Sequence, residues 1–460
     1  MTLPSSSPDS LGLDPVRLQR LERWLEQQVT QNRLAGASLL VARQGSTGFF
    51  QSTGVAQQAS GDNTEKAFSR DTLVRLYSMT KPVTAVAAMM LYEEGHFQLD
   101  DPVAWYIPAF ADTPVWDGTV PESDDPNALL EHVLPQQSPM SIQQLMTHTS
   151  GLSYSFMNAT PVDRYYRDHG LDFPGADTPL EELVERLAKA PLLCQPGSQW
   201  NYSVASDVLG RLVEIWSGLS LDEFFRTRIF DVLGMHDTGF HVRQGDEQRL
   251  ADLLMPAAGG DLGAIGTANN QVGGAVMPPA QSKLSSTRAA ALGLHHEPPQ
   301  VLEAGAQSTF LKPPVLLSGG GGLIGSIDDF SRFAQMLLNG GELDGQRLLT
   351  AKTVDFMRRN HLPGQGDMAS MGQAVWSESS YNGIGFGLGF AVVLDPVDAQ
   401  MLGSAGEYHW GGAASTFFWI DPEEDLLVVF LTQLYPSSSY PIRRELRTAV
   451  YQATLALPSS

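Results

Sequence analysis

Cysteine is almost missing from this chain: Cys194 stands alone among 460 residues. A single thiol cannot close an internal disulfide, so the fold does not depend on an oxidising compartment. Its place after Pro191-Leu192-Leu193 suits a small buried hydrophobe. Long apolar runs are also missing. Leu426 to Leu431 is typical of the longest, far short of the roughly 20 residues that cross a bilayer, so no membrane insertion is expected. Positive charge is scarce: 29 basic residues against 51 acidic leave a net charge of −22. Such a chain repels phosphate backbones and anionic membranes, which argues against a nucleic-acid partner. The segment Met1 to Leu11 is rich in Ser and Pro, with neither a basic nor an apolar signal region, so a cytoplasmic protein is expected. His236 and His241, and the trio His295-His296-Glu297, lack the spacing of a metal site, and no metal or cofactor is implied.

What is present suits a folded enzyme-sized chain. Hydrophobic residues make up 42% and charged residues 17%, enough apolar material for a large core. Asp14-Pro15 opens a helical pattern running to Val29. Ala37–Ala42 and Phe49–Val55 read as a strand pair, and Val83–Glu94 as a helix ending at Gly95. From Thr113 to Pro314 the patterns are helical, at Ser141–Met146, Pro179–Ala190, Ala205–Trp216 and Leu221–Leu233. Long Gly/Pro-rich loops separate them. Ser326–Leu338 is again an amphipathic helix. Gly385–Leu394, Ala414–Asp421 and Leu426–Gln433 read as strands, and Tyr440–Leu457 as a closing helix. This order predicts one α/β domain built from both chain ends, 1–112 and 315–460. A mainly helical domain, 113–314, is inserted between them, with the active site in the cleft.

Three short stretches carry chemistry. In Ser78-Met79-Thr80-Lys81 a helix start would bring residues three apart onto one face, so hydroxyl and amine can meet. A desolvated lysine can take the serine proton, and a first-turn serine offers its own N–H to an oxyanion. A solvated Ser and Lys near a helix start would give the same letters. Two details favour chemistry: the chain has six lysines, and this one precedes an apolar helix. Tyr202, in Trp200-Asn201-Tyr202-Ser203-Val204, precedes a helix and can act as a phenolate base beside a lysine, or simply pack on that helix. His409-Trp410-Gly411-Gly412-Ala413-Ala414 opens a strand, where paired glycines allow a ligand close to the backbone or mark a bulge. No Gly-x-Ser-x-Gly pentapeptide is present.

Together these stretches resemble the serine β-lactamase and penicillin-binding-protein superfamily, of which Ser-x-x-Lys is a signature. Thr147-His148-Thr149-Ser150-Gly151-Leu152, Leu233–Phe240 and the glycine run Gly319–Ser326 are similar to its class C-like branch, and within that branch to the family VIII carboxylesterases. The resemblance implies a β-lactamase-like α/β (α+β) fold, an antiparallel sheet flanked by helices. It also implies Ser78 as nucleophile, Lys81 and Tyr202 as proton acceptors, and the Ser78 and Ala413 amides as oxyanion hole. His148 would fix a loop near the site, and His409 would support Trp410 from behind. Two departures matter. Where class C lactamases carry Tyr-x-Asn, the third residue here is Val204, and where they carry Lys-Thr-Gly, Trp410-Gly411-Gly412 stands. Indole for ammonium removes the partner of a substrate carboxylate and offers an apolar wall. A small-molecule ester with a short acyl chain is therefore the expected substrate, bound by Trp410, Gly411, Gly412 and Val204. Cephalosporin hydrolysis, acyl transfer and an inactive penicillin-binding-like recognition protein are the alternatives. Loops such as Thr113–Pro139 and Ala257–Pro314 are expected to shape the pocket.

Overall fold

The computed structural model describes residues 1–59, 64–123, 125–173, 177–257, 288, 291–293, 295–372 and 381–455. Most of the Ala257–Pro314 loop expected to wall the pocket, including 258–287, therefore lies outside the described residues.

Eight strands form one antiparallel sheet: β1 (Gly36–Arg43), β2 (Ser46–Gln57), β3 (Lys66–Ala67), β4 (Ile384–Phe386), β5 (Ala391–Val393), β6 (Tyr408–Gly411), β7 (Phe417–Asp421) and β8 (Leu426–Thr432). Their order is β4-β5-β6-β7-β8-β1-β2-β3, so strands from both ends of the chain meet where β8 pairs with β1. Both faces are covered, which is why β8 reads as an unbroken apolar run from Leu426 to Leu431, and β1 as one interrupted only by Ser38 before Arg43, rather than as alternating strands. Leu427, Val429 and Leu431 of β8 face one core, while Leu426, Val428 and Phe430 face the other.

The second of these cores is closed by helix α1 (Pro15–Thr30) and the last helix, described below as α5 (Ile442–Tyr451). Asp14 caps α1 by accepting from Val16 and Arg17 N–H groups at 2.9 and 3.1 Å, with Pro15 in the first turn. The opposite face carries α2 (Thr80–Glu93) and α4 (Ile327–Leu338), with α3 (Ala205–Ser217) packed on α2. Helix α2 is buried from Thr80 to Leu91 on every side, the pattern of a core helix rather than an amphipathic one.

Three expectations change. Gly385–Leu394 is not one strand: Gly387-Leu388-Gly389 breaks it into the hairpin β4–β5. Gly389 adopts φ +95°, and an added Cβ there would lie 2.4 Å from the Ala85 Cβ. The stretch around Trp410 opens only a short strand: β6 begins at Tyr408 and stops at Gly411, so Gly412–Ala414 lie in the turn that leads to β7. Pro161–Asp168, read as loop, is a helix closed by a Thr160–Asp163 capping box. Among the described residues between Thr113 and Pro314 the strand content is small ribbons, Val115–Trp116 with Val133–Leu134 and Leu253–Met255 with Gln300–Glu303. Among the described residues no helix is long and apolar enough to cross a membrane.

Candidate active site

Ser78 lies in a single 3-10 turn, Tyr77–Met79, that runs directly into α2. Tyr77 is held at φ +45°, a left-handed conformation that costs a non-glycine residue about 1–3 kcal/mol and turns the chain sharply just before Ser78. One turn later Lys81 reaches back, its Nζ 3.2 Å from Ser78 Oγ. From the start of α3, Tyr202 donates its hydroxyl to Ser78 Oγ at 2.6 Å. Three residues separated by up to 124 positions thus converge on one oxygen.

Lys81 is buried in the first turn of a helix that is itself buried from Thr80 to Leu91. Besides Ser78, its Nζ donates to the Gly320 carbonyl at 2.7 Å and to the Tyr154 hydroxyl at 3.0 Å. It also lies over the Tyr202 ring, 4.6 Å from the centroid. Desolvation pushes its pKa down to about 7, opposed by the negative charge of Asp207. The amine is therefore substantially neutral near neutral pH, as a proton acceptor must be. Burial has the opposite effect on Tyr202 and raises its pKa well above the ordinary tyrosine range. The Ser78 contact and the neighbouring Trp410 indole only partly offset this. Burial thus favours the phenol over the phenolate anticipated from the sequence, while the charge of Arg443 acts in the other direction.

The other side is made by the end of β6. Beyond His409 the strand has no partner in β5, so Trp410–Ala413 form an open edge facing the Ser78 turn. The two glycines do allow close approach, but of protein. A Cβ on Gly412 would sit 2.3 Å from the Leu76 carbonyl oxygen, and one on Gly411 would sit 2.5 Å from the Arg443 guanidinium. Arg443 donates to the carbonyls of Gly412 and Thr416 at 3.0 and 3.2 Å, clamping the turn that carries Ala413. Among the described residues neither the Ser78 nor the Ala413 amide N–H has a protein acceptor. Both are left available at the junction of the 3-10 turn and the strand end.

Trp410 is buried against the Tyr202 and Phe386 rings, at centroid distances of 5.5 and 5.3 Å. Its indole N–H lies beside the Tyr202 hydroxyl without closing a full hydrogen bond. Val204 is fully buried behind α3 and offers a ligand no surface, because its side chain turns into the core. His148, at φ +56°, meets Ser203 Oγ through Nδ1 at 3.1 Å and packs on the Tyr202 ring at 5.2 Å. His409 is part of β6, its Nδ1 3.3 Å from a Glu407 oxygen that α5 holds through Arg447. Cys194, half-buried, takes a hydrogen bond from Asn201 and lies away from Ser78. Among the described residues no group of three or more His, Cys, Asp or Glu side chains could hold a metal.

Four participants escaped the sequence reading: Tyr154, Asp207, Gly320 and Arg443. The glycine run was visible, but the need for it is spatial. A Cβ on Gly319 would lie 2.5 Å from the Ser206 carbonyl oxygen, and one on Gly320 would lie 2.8 Å from Asp207 Oδ2. Asp207 had one usable sign, an acid on the apolar face of α3 beside Val208. Tyr154 and Arg443 had none, since each acts through partners remote in sequence.

Comparison with known proteins bears on the family and the fold. The profile of the beta-lactamase family matches residues 21–452. Esterase EstB of Burkholderia gladioli is 32% identical over 456 residues, 98% of this chain and 100% of that protein. Protein Rv1367c of Mycobacterium tuberculosis is 33% identical over 374 residues, 80% of this chain and 79% of that one. Among solved structures, EstCE1, described as a hydrolase with promiscuous acyltransferase activity, superposes with a TM-score of 0.68 at 26% identity, covering 95% of this chain and 98% of its own. With the family profile spanning nearly its whole length and the antiparallel sheet flanked by helices, this chain belongs to the beta-lactamase family.

Proposed function

We propose that this protein is a serine hydrolase of neutral carboxylic esters with a short acyl chain, working through an acyl-enzyme on Ser78. The observation that carries the reading is the convergence of Tyr202 and a buried Lys81 of lowered pKa on Ser78 Oγ, at 2.6 and 3.2 Å. Lys81 takes the Ser78 proton as the oxygen attacks the ester carbonyl. The oxyanion that forms is met by the Ser78 and Ala413 amides. Collapse expels the alkoxide, which receives the proton from Lys81 by way of the Tyr202 hydroxyl. Water then repeats the sequence and releases the acid. The site would lie in a cleft between the sheet portion (1–112 and 315–460) and the helical insertion (113–314), with Ser78, Tyr202 and Ala413 drawn from the three successive segments.

The indole of Trp410 supports a neutral substrate, since it cannot pair with a carboxylate as an ammonium would. Similarity to Esterase EstB over nearly the whole chain supports ester hydrolysis. Likeness to EstCE1 supports acyl transfer as a second outcome, with an alcohol replacing water at the acyl-enzyme. A panel of p-nitrophenyl esters of increasing acyl length, run beside nitrocefin with and without an acceptor alcohol, tests the proposal. Fast turnover of short esters with slow nitrocefin hydrolysis is expected. Nitrocefin turned over as efficiently as the best ester would overturn it.

A further inference from the structure

Asp207 is a buried acid that the reaction above does not use. It is 1% exposed, in the first turn of α3. One carboxylate oxygen, Oδ1, accepts from the Ser318 hydroxyl at 2.6 Å and from the Gly320 N–H at 3.1 Å. The other, Oδ2, is buried without a hydrogen bond. Gly320 in turn presents its carbonyl to Lys81 Nζ at 2.7 Å. One residue is therefore gripped at its N–H by Asp207 and at its C=O by the lysine. The glycine run allows this, since a Cβ on Gly320 would be 2.8 Å from Asp207 Oδ2 and 3.0 Å from the Tyr154 hydroxyl.

Burying a carboxylate without a direct cationic partner is unfavourable, and a simple loop tether would need no charge there. We propose that Asp207 is a positioning residue, holding the Gly320 carbonyl against Lys81 and supplying the negative field in which Lys81 takes up and releases its proton. The assignment rests on Lys81 being the base. The groups that face Lys81 are Ser78 from its own turn, Tyr154, Tyr202 and His148 from the surrounding loops, and Asp207 from α3. Asp172 and Arg443 act one step further out, on Tyr154 and Tyr202. Of these, Asp207 is the carboxylate whose charge bears on the lysine, and it favours the ammonium form. Burial pushes the Asp207 carboxyl upward, and the Ser318 hydroxyl, the Lys81 charge and the Gly320 N–H oppose that push and favour the carboxylate. Without it the desolvated amine would hold its proton more weakly, and its carbonyl partner would be free to turn away.

The test is Asp207→Asn, which keeps shape and acceptor while removing charge. In full-length protein carrying 13C at the lysine ε-carbons, the Lys81 resonance is assigned by its loss in Lys81→Met. Its titration should fall by about one unit or more in Asp207→Asn, the usual scale for losing a nearby opposite charge. The acidic limb of kcat/KM for a p-nitrophenyl ester should move down with it, and kcat on the plateau should drop about tenfold or more with KM little changed. Ser318→Ala, which keeps the charge, should lower kcat several-fold without moving the limb. An unchanged Lys81 titration in folded Asp207→Asn, or a fully active Ser318→Ala, would overturn the assignment. The titration is read without substrate, so absence of esterase activity in wild type would overturn the base reading and leave the Asp207–Lys81 coupling to stand or fall separately.

Discussion

On one side of the candidate site, Ser78 and Lys81 sit one helical turn apart at the start of α2, and their meeting needs little more than helix geometry. On the other side, Trp410–Ala413 hang from the end of β6 beyond the last residue paired with β5. Their position depends on Arg443, some 30 residues away on α5, and on contact with the Leu76 carbonyl. The first side is local and rigid because α2 is buried all round. The second is assembled from three distant pieces of chain, and small residues are needed wherever they touch. Nucleophile chemistry should therefore be lost outright by changes on the first side, whereas the second should tune rate and substrate choice.

The largest effect is expected at Ser78. Ser78→Ala should abolish ester hydrolysis with the melting temperature near wild type, and a phosphonate should label wild type once, on Ser78, as read by mass spectrometry. An adduct elsewhere would break the comparison at its root. Next come the two partners. Lys81→Ala and Tyr202→Phe should each lower kcat by at least about two orders of magnitude. The double variant should fall little further, because groups acting as one unit are not additive. With the Lys81 pKa lowered to about 7, the base is protonated and silent below that pH and free above it. Wild-type kcat/KM should therefore rise through about pH 7 as pH increases. A rise centred near 10 would mean that burial does not depress the lysine.

Changes on the strand side should cost less. Arg443→Met removes the clamp on the Gly412 and Thr416 carbonyls. A hydrogen bond to a charged group is worth about 1.5–3 kcal/mol, so kcat should fall about tenfold or more, with KM little altered. If KM rises instead and kcat holds, the arginine serves binding rather than the Ala413 amide. The smallest and most selective change is Trp410→Lys. Restoring an ammonium at this edge should lower kcat/KM for a neutral ester and raise the ratio of nitrocefin to ester turnover roughly tenfold, equivalent to about 1.4 kcal/mol. Buried Val204 cannot supply a side-chain amide, which limits the gain. A ratio that does not move would show that charge at this position does not select the substrate.

The residues of the first side were legible because their chemistry is written at helical spacing: Ser78, Lys81 and the apolar run behind them announce a nucleophile and a base in one turn. Tyr202 was legible through its short motif, though not its protonation state. That depends on the packing of His148, Tyr154 and Trp410 around it, which buries the hydroxyl. The paired glycines at 411 and 412 signalled close approach, but not that the approaching groups are Leu76 and Arg443.

The sequence by itself determined the local elements and the nucleophilic turn, because hydrophobic period, caps and the Ser-x-x-Lys spacing act over a few residues. It also carried the family, through motifs in a long, ordered series. Only the tertiary structure decided that the strand around His409 stops at Gly411, that the 385–394 run folds into a hairpin, and that Val204 turns inward. Only there do Asp207, Ser318 and Gly320 meet beneath Lys81. The physical reason is the same in each case. A buried charge, an orphaned amide or a glycine beside a carbonyl takes its meaning from what the fold brings against it, and those partners lie 30 to 340 positions away along the chain.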